Sequence, residues 1–399
     1  MSNRKNIVFR TGSLGIGGTE RILVNLIKHL NHGKYNISLI IDNDLCEENI
    51  FKNEIPYYIK IYFLRPYNLV KKFHYFNSIK RNFYQKFMYN YYMTKRRLIT
   101  KKNMLISLEK IIEKYGDIDV FIDFNNGATR RFIDEVNAKK KIIWMHNSLT
   151  MFSEIDLKKF EKKISKYDII VSICEEMEKE IIYHFPNMKD KIIRIYNPIY
   201  IDEIKEMSYN SEGLSAEEIK LMTKKYILMV SRIDIGQKDF GTLINGYKLA
   251  KEKGFSYKLY LIGSGEGKPR VQKMIDNENL QDHILMLGSK KNPFIWMKNA
   301  EFFILSSKEE GFPTVLIEAM ALKNAIIASK CKTGPTEILC DGECGILFDV
   351  GDYNTLSIEM LRLYTDKKYK EELEIKSLNR IDEFSLEKSI IEIEKLLNI

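Results

Sequence analysis

No run of about 18 apolar residues occurs in the sequence, so no membrane-spanning helix is expected. The opening MSNRKNIVFRTG holds a short apolar run and then turn residues, too little for a signal peptide and enough for a first strand. The five cysteines (Cys46, Cys174, Cys331, Cys340, Cys344) are odd in number and form no CxxC pair, which argues against a disulfide framework and for a reduced, cytoplasmic setting. Cys340 and Cys344 could be offered as zinc ligands, but His283 is the sole histidine of the C-terminal half, and small buried thiols are the plainer reading. Most unusual is the absence of acid from residues 60–103, which hold 12 Lys or Arg and 12 Phe or Tyr. The remaining residues carry 51 basic and 54 acidic groups, so the net charge of +9 is local. A nucleic-acid-binding surface spread over the whole molecule is excluded by that distribution.

At 399 residues the chain exceeds a usual single core, and two domains are expected. Short β-rich runs alternate with helical stretches: NIVFR (6–10), ISLII (37–41), IDVFID (118–123), KIIWM (141–145), YDIIVS (167–172) and KIIRI (191–195) in the first half. YILMVS (226–231), KLYLIG (258–263), HILMLG (283–288), FFILSS (302–307) and NAIIAS (324–329) repeat the rhythm. Near-continuous apolar strands separated by helices predict two doubly wound parallel sheets, with the polar stretch 201–223 as hinge. Such sheets bind ligands beyond the carboxyl ends of their strands.

After FFILSS comes KEEGFPTVLIEAMAL, where Pro313 is expected to open a helix. The N–H groups of Thr314 and Val315 would be unpaired donors at its positive end, a place for phosphate. Glu310 stands before that helix and Glu318 in its second turn, so hydroxyl-bearing groups on either side of a diphosphate could each meet a carboxylate. Read alone, two surface glutamates near a helix start explain the spacing slightly better. SRIDIGQKDFGTLI supplies Arg232 and Lys238, able to neutralise a diphosphate but equally at home as solvated charge. LIGSGEGKPR has Lys268 where a dinucleotide fingerprint needs glycine, and TGSLGIGGTER lacks the Lys-Ser/Thr of a triphosphate loop. Gly17 and Gly18 would let the backbone approach a ligand. His146 follows KIIWM at a strand's carboxyl end, where a functional role is favoured; His29 and His184 read as structural or surface.

In order along the chain, GIGGTER, WMHN, VSICEEM, IYNPI, VSRIDIGQKDFGTLI, LYLIGSGEG, LGSKKNP, EGFPTVLIEAMAL and TGPTEIL resemble the retaining glycosyltransferases of family 4. That resemblance implies the GT-B fold, two Rossmann-like α/β domains with a cleft between them: residues 1–198 on the acceptor side, 199–380 binding the nucleotide-sugar, and 381–399 a helix returning to the first domain. It implies that Glu310 hydrogen-bonds the donor sugar while the backbone of Phe312, Pro313, Thr314 and Val315 holds sugar and diphosphate. Glu318 would take the ribose hydroxyls, Arg232 and Lys238 the β-phosphate, and the loop after Gly288 the base. Gly17, Gly18 and His146 would face the reaction centre. The implied activity is transfer of a hexosyl or N-acetylhexosaminyl group, with retention, from a UDP-sugar to a glycan or lipid-linked acceptor of bacterial surface polysaccharide. The acceptor would attack from the leaving-group face and the β-phosphate would take its proton, so Glu310 positions and stabilises charge and is not a nucleophile. No cofactor and no metal are expected.

Three rival readings compete with this one. A glycoside hydrolase would use two carboxylates but not the cation pair. A metal-dependent GT-A-like transferase is suggested by Asp42 and Asp44 of "DND", which fit turn chemistry better. A non-enzymatic membrane-associated or nucleic-acid-binding adaptor would not need the strand-end motifs. For residues 60–103, spacings of three and four among Phe73, Phe76, Ile79, Phe83, Phe87 and Tyr91 predict one helical stripe, with Lys72 and Lys80 inside it and Tyr89 and Tyr92 outside. Packing on the N-terminal domain and nucleic-acid binding are the alternatives to the favoured reading, an interfacial segment on the anionic inner leaflet that places the protein peripherally at the membrane.

Overall fold

The computed structural model describes residues 4–15, 17–78, 83–125, 128–149 and 152–398. They form two compact units. The first takes the chain up to Ile173, Glu178–Pro198 and the residues from Ser389 on; the second takes Cys174–Met177 and Ile199–Lys388.

The first unit holds seven strands: β1 (Lys5–Thr11), β2 (Tyr35–Asn43), β3 (Lys60–Arg65), β4 (Ile118–Asp123), β5 (Ala138–Trp144), β6 (Ile169–Ser172) and β7 (Ile192–Arg194). All are parallel, in the order β3-β2-β1-β4-β5-β6-β7. The second unit holds β8 (Tyr226–Val230), β9 (Lys258–Ile262), β10 (Ile284–Gly288), β11 (Phe303–Leu305), β12 (Ile326–Ser329) and β13 (Ile346–Phe348), parallel in the order β10-β9-β8-β11-β12-β13. Central strands are buried on both faces, as helices on either side of a parallel sheet require; in β1 and β8 Ile7, Val8, Phe9, Ile227 and Leu228 are fully buried. In each sheet the strand order reverses once, between β1 and β4 and between β8 and β11, and these are the switch points at which doubly wound sheets open a crevice.

The helix Leu386–Asn398 is tied to the first unit: Lys34 pairs with Glu394 at 3.1 Å and Lys5 Nζ donates to the carbonyl of Leu397. The polar stretch 201–223 contains two short helices, Ile201–Met207 and Ala216–Met222. Among the described residues no helix is long and apolar enough to cross a membrane.

The basic aromatic segment departs from the single stripe expected of it. Residues 60–65 form edge strand β3, and two helices follow, α2 (Tyr67–Ser78) and α3 (Phe83–Tyr115). Leu69 and Phe73 of α2 bury against Tyr92 of α3, joined by Phe76, Met88, Tyr89 and Ile99. Phe76 stacks on Tyr92 at 5.4 Å and the Arg96 guanidinium lies 4.3 Å from the Phe73 ring. Tyr89 and Tyr92, expected outside the stripe, are therefore the inward residues. Phe83, Phe87 and Tyr91, expected within it, point outward. The correction has a simple cause. Two packed helices turn opposite sides toward each other, so one helical phase cannot describe both. Ile79 and Lys80 lie outside the described residues.

Candidate functional site

At the switch point of the second sheet, three loops meet beyond the carboxyl ends of β8, β11 and β12. The first, 231–239, is seated by its neighbour after β9. Ile233 N–H donates to the carbonyl of Ser264 at 2.9 Å, and Gly267 N–H to that of Ile233 at 3.1 Å. Gly263, at φ +146°, has no room for a side chain, since a Cβ would lie 1.8 Å from the Ser231 carbonyl oxygen. The glycines of LIGSGEG thus allow backbone to approach backbone. Asp239 ends the loop as N-cap of the helix Phe240–Glu252, accepting from Thr242 N–H at 3.2 Å.

That seating delivers Lys238 to Glu310, which follows β11. Both are 7% exposed, and Lys238 Nζ bonds Glu310 Oε1. Ser307 Oγ donates to the same oxygen at 2.6 Å. Ser307 is braced in turn by Ser329 of β12, whose hydroxyl accepts the Ser307 N–H at 2.8 Å and donates to the Ser307 carbonyl at 2.7 Å. Oε1 is thus doubly satisfied, while Oε2 has no hydrogen bond among the described residues. The ammonium keeps further N–H donors beyond the one it spends on Glu310.

The third loop closes on the Glu310 backbone. Thr333 Oγ1 donates to the Glu310 carbonyl, and Thr333 N–H donates to Glu176, one of the residues that cluster with this unit, at 2.8 Å. Thr333 adopts φ +59°, a left-handed conformation rare for a β-branched residue and worth about 1–3 kcal/mol of local strain. Beside it a Cβ on Gly334 would meet Pro313 Cδ at 2.6 Å, so glycine lets this loop lie against the start of the next helix. Buried Cys331 feels the same enclosure: burial and then Glu310 push its thiol up to about 12, leaving it unreactive.

The helix runs Thr314–Ala321 with Pro313 as its N-cap, one residue later than the sequence suggests. Its first N–H groups, those of Thr314 and Val315, have no intrahelical acceptor and carry the positive end of the helix dipole. The Phe312 ring is buried against Phe384 at 5.8 Å and anchors the loop, so what Phe312 can offer a ligand is its backbone. Glu318 is half-buried, four residues and about 6 Å of helical rise beyond Thr314. Gly288 ends β10 at φ +71°, its carbonyl accepting from Gly263 N–H at 2.9 Å. Arg232 lies on the Lys238 loop but its side chain is exposed, so the two cations are not alike: one is buried and paired, the other in water.

Three candidates belong to the first unit. Gly17 is the N-cap of α1 (Gly18–His29) in an extended conformation, and Gly18 begins the helix; neither has a backbone angle that requires glycine. His146 is buried after β5, its ring 4.7 Å from that of Phe124. Burial pushes His146 down to about 3, against a backbone hydrogen bond with Phe124 that raises it, so the ring is neutral near pH 7. Its Nε2 is buried without a partner among the described residues. A neutral imidazole can orient a hydroxyl group but brings no cationic charge.

Asp42 and Asp44, the metal-binding alternative, are otherwise engaged. Asp42 lies in β2 and takes Arg10 and Arg65, while Asp44 accepts the Cys46 N–H at 3.0 Å in an Asx turn. Ser307 and Thr333 are site residues that the sequence alone does not mark. A serine just past a strand is unremarkable in sequence, and nothing in the letters TGPTEIL marks a threonine at positive φ.

Residues 211–380 match the family model for glycosyl transferases, group 1. The chain is 33% identical over 214 residues to an uncharacterized glycosyltransferase of Methanocaldococcus jannaschii, covering 51% of each protein, so it spans about half the length of that relative. It is 26% identical over 373 residues, 93% of each chain, to the N-acetylgalactosamine-N,N'-diacetylbacillosaminyl-diphospho-undecaprenol 4-alpha-N-acetylgalactosaminyltransferase of Campylobacter jejuni. Among solved structures it is similar to Anabaena HepE in complex with UDP and glucose, with TM-score 0.73 and 14% identity over 98% of this chain and 99% of that one. The fold is GT-B.

Proposed function

We propose that the protein is a glycosyltransferase that moves a hexosyl or N-acetylhexosaminyl group, with retention, from a UDP-sugar to a glycan or lipid-linked acceptor in bacterial surface-polysaccharide assembly. One observation carries the reading: a buried Lys238–Glu310 pair beside a helix N-terminus, with spare ammonium donors and a free carboxylate oxygen. A sugar phosphate has the complementary layout, phosphate oxygens for the cation and hydroxyl donors for Glu310 Oε2. As the sugar–phosphate bond lengthens, negative charge grows on the diphosphate. Lys238, Arg232 and the Thr314 and Val315 N–H groups would stabilise it, the largest contribution expected of such a site. Glu310 would stabilise the positive sugar ring and fix its orientation, and His146 would orient a hydroxyl group as a neutral ring. The site supplies its own positive charge, and on this reading no divalent metal is required. The names of the similar proteins support the donor and acceptor classes: the Campylobacter enzyme's name records a diphospho-undecaprenol acceptor, and HepE was solved with UDP.

The test is release of UDP from a panel of UDP-sugars, with and without a lipid-diphosphate acceptor and with EDTA, the product anomer being read by NMR. Acceptor-dependent UDP release that survives EDTA and gives the donor's own anomer is expected. An inverted product or strict Mn²⁺ dependence would overturn retention or metal independence respectively, and no turnover of any nucleotide-sugar would overturn the reading itself.

An anionic membrane surface is the proposed partner of the first unit. Phe83 (91% exposed), Tyr84, Phe87, Tyr91 and Leu98 share one side of α3, opposite the side packed on α2, with Lys86, Lys95, Lys101 and Lys102 around them. Aromatics at headgroup depth with lysines toward acidic lipids suit an interfacial helix, each basic residue contributing about 1 kcal/mol near such a surface. Phe83→Ser, Phe87→Ser and Tyr91→Ser together should leave melting unchanged and shift the protein from phosphatidylglycerol vesicles to the supernatant. Sedimentation equal to wild type would remove this partner.

A further inference from the structure

We infer that Ser307 and Thr333 are positioning residues that decide which oxygen of Glu310 meets the substrate. The inference rests on the sugar-transfer reading of this site and goes beyond it, since that reading gives neither residue a part and both act through their bonds to Glu310.

A carboxylate facing an ammonium can take either of two arrangements. It can share both oxygens with the cation, or give one and keep the other free. The first is favoured electrostatically when nothing else competes, because both partial charges then lie close to the cation. Here the second is observed, and the competing group is visible. Ser307 Oγ, 2.6 Å from Oε1, gives that oxygen a second donor and holds the carboxylate turned. Ser307 cannot easily move, because Ser329 Oγ bonds both its N–H and its carbonyl. Lys238 is held at the same time, its backbone paired with that of Ser307 in an isolated antiparallel bridge. Cation, carboxylate and hydroxyl are therefore fixed to one short piece of backbone.

The hydroxyl sets rotation about the side chain, and the backbone of Glu310 needs its own restraint. Glu310 N–H makes only a long bond, 3.4 Å, to the carbonyl of Lys332. Thr333 supplies the rest through its hydroxyl to the Glu310 carbonyl. That it does so at φ +59° fits a positioning role: a β-branched residue is kept in a sparsely populated conformation where glycine would relieve the strain but could not donate. With both residues in place, Oε2 is left free and oriented before any ligand arrives. That is the preorganisation a transition-state contact needs.

Two measurements test this, one of them independent of activity. A crystal structure of Ser307→Ala should show the carboxylate turned so that both Glu310 oxygens lie within hydrogen-bond distance of Lys238 Nζ; an unmoved carboxylate overturns the inference whether or not the protein transfers sugar. In kinetics, Ser307→Ala should lower kcat about ten- to a hundredfold, the loss of one hydrogen bond to a charged group, with UDP affinity within about twofold of wild type. In the Glu310→Gln background the same change should have less than about twofold further effect, because a residue that acts only through Glu310 has nothing left to position. Losses that multiply would mean a general structural role and overturn it. Thr333→Ser should keep most of kcat and Thr333→Val should lose it, and equal rates would remove Thr333 from the proposal. If Ser307→Ala fails to fold, Ser307→Cys, of similar shape and a weak donor, takes its place with the same expected losses. A wild-type protein without turnover sinks the functional reading alone, since the crystal structure still decides the carboxylate's orientation.

Discussion

The two sheets of this protein have the same topology at their switch points and opposite fillings. Between β1 and β4 of the first, the crevice position is closed by charge. Arg10 is fully buried and bonds Asp42 with two nitrogens and Asp123 with a third, at 2.5 Å. Arg65 adds a 2.6 Å bond to Asp42, and Tyr167 OH donates to Asp123 at 2.8 Å. Two cations and two anions cancel, and no carboxylate oxygen in the set lacks a donor. Burial opposes the charge on Arg10, but Asp123 and Asp42 outweigh it and hold the guanidinium above its usual value. Arg65 has fewer partners, and burial wins, pulling it down to about 10. Between β8 and β11 of the second sheet, Lys238 and Glu310 are also buried but incompletely satisfied. Both are buried ion pairs, yet a closed network specifies a fold, and an open pair keeps valences for a ligand.

The largest effect should come from Glu310→Gln. A neutral amide keeps the shape but not the charge, and transfer should fall about a hundred- to a thousandfold, as when a single stabilising group is removed from an active site. UDP should still bind, because the helix N-terminus and Lys238 remain. Near-normal turnover would place the chemistry elsewhere. The matching change in the first sheet, Asp42→Asn, should act on stability instead. It leaves Arg10 and Arg65 buried with too little negative charge, a loss of about 3–5 kcal/mol, read as a lowered denaturation midpoint. Should Asp42→Asn unfold no more easily than Glu310→Gln, the distinction between closed and open pairs would fail.

How much of this is legible in the sequence alone? The alternation of apolar strands with helices points to two parallel sheets, because strands buried on both faces must be apolar throughout, and the sheets are there. Glu310, Lys238 and the helix start were also visible, since their chemistry is carried by residue type at fixed spacing. Edge strand β3 was not, because its ends are Lys60 and Arg65, and the sequence does not reveal that Arg65 is buried against Asp42. Nor was the α2–α3 packing, where the inward residues are set by a partner helix and not by one helix's own phase. Ser307 and Thr333 depend on hydrogen bonds between loops brought together only by the fold.

A smaller effect concerns pH. His146 is held near 3 in the folded protein by burial, below the ordinary histidine value of about 6.5. Between those values the unfolded chain binds a proton that the folded one does not, so stability is full above about pH 6.5 and declines as pH falls toward 3. His146→Gln should flatten that decline by up to a few kcal/mol in chemical denaturation at pH 4.5 against pH 7.5. A variant with the same pH slope as wild type would show that His146 is not buried as a neutral ring.

The smallest effect should come from Arg232→Ala, and it sharpens the comparison from the other side. Arg10 and Arg65 are buried and paired with carboxylates, whereas the Arg232 side chain is exposed on the loop that carries Lys238. An exposed cation acts on an anionic ligand through water, where one contact contributes at most about 1 kcal/mol, and salt screens it over roughly 8–10 Å. UDP affinity should therefore fall about three- to fivefold at 50 mM salt, mostly through a slower association rate, and the difference from wild type should vanish near 0.5 M. The melting temperature should not move, since no buried group loses a partner. Lys238→Ala, in contrast, should weaken UDP by a similar factor at both salt concentrations, because its charge is shielded from solvent, and should destabilise the fold by stranding Glu310. If Arg232→Ala showed a loss as large and as salt-independent as Lys238→Ala, the two cations would have to be working as one buried site, with Arg232 drawn inward by the ligand.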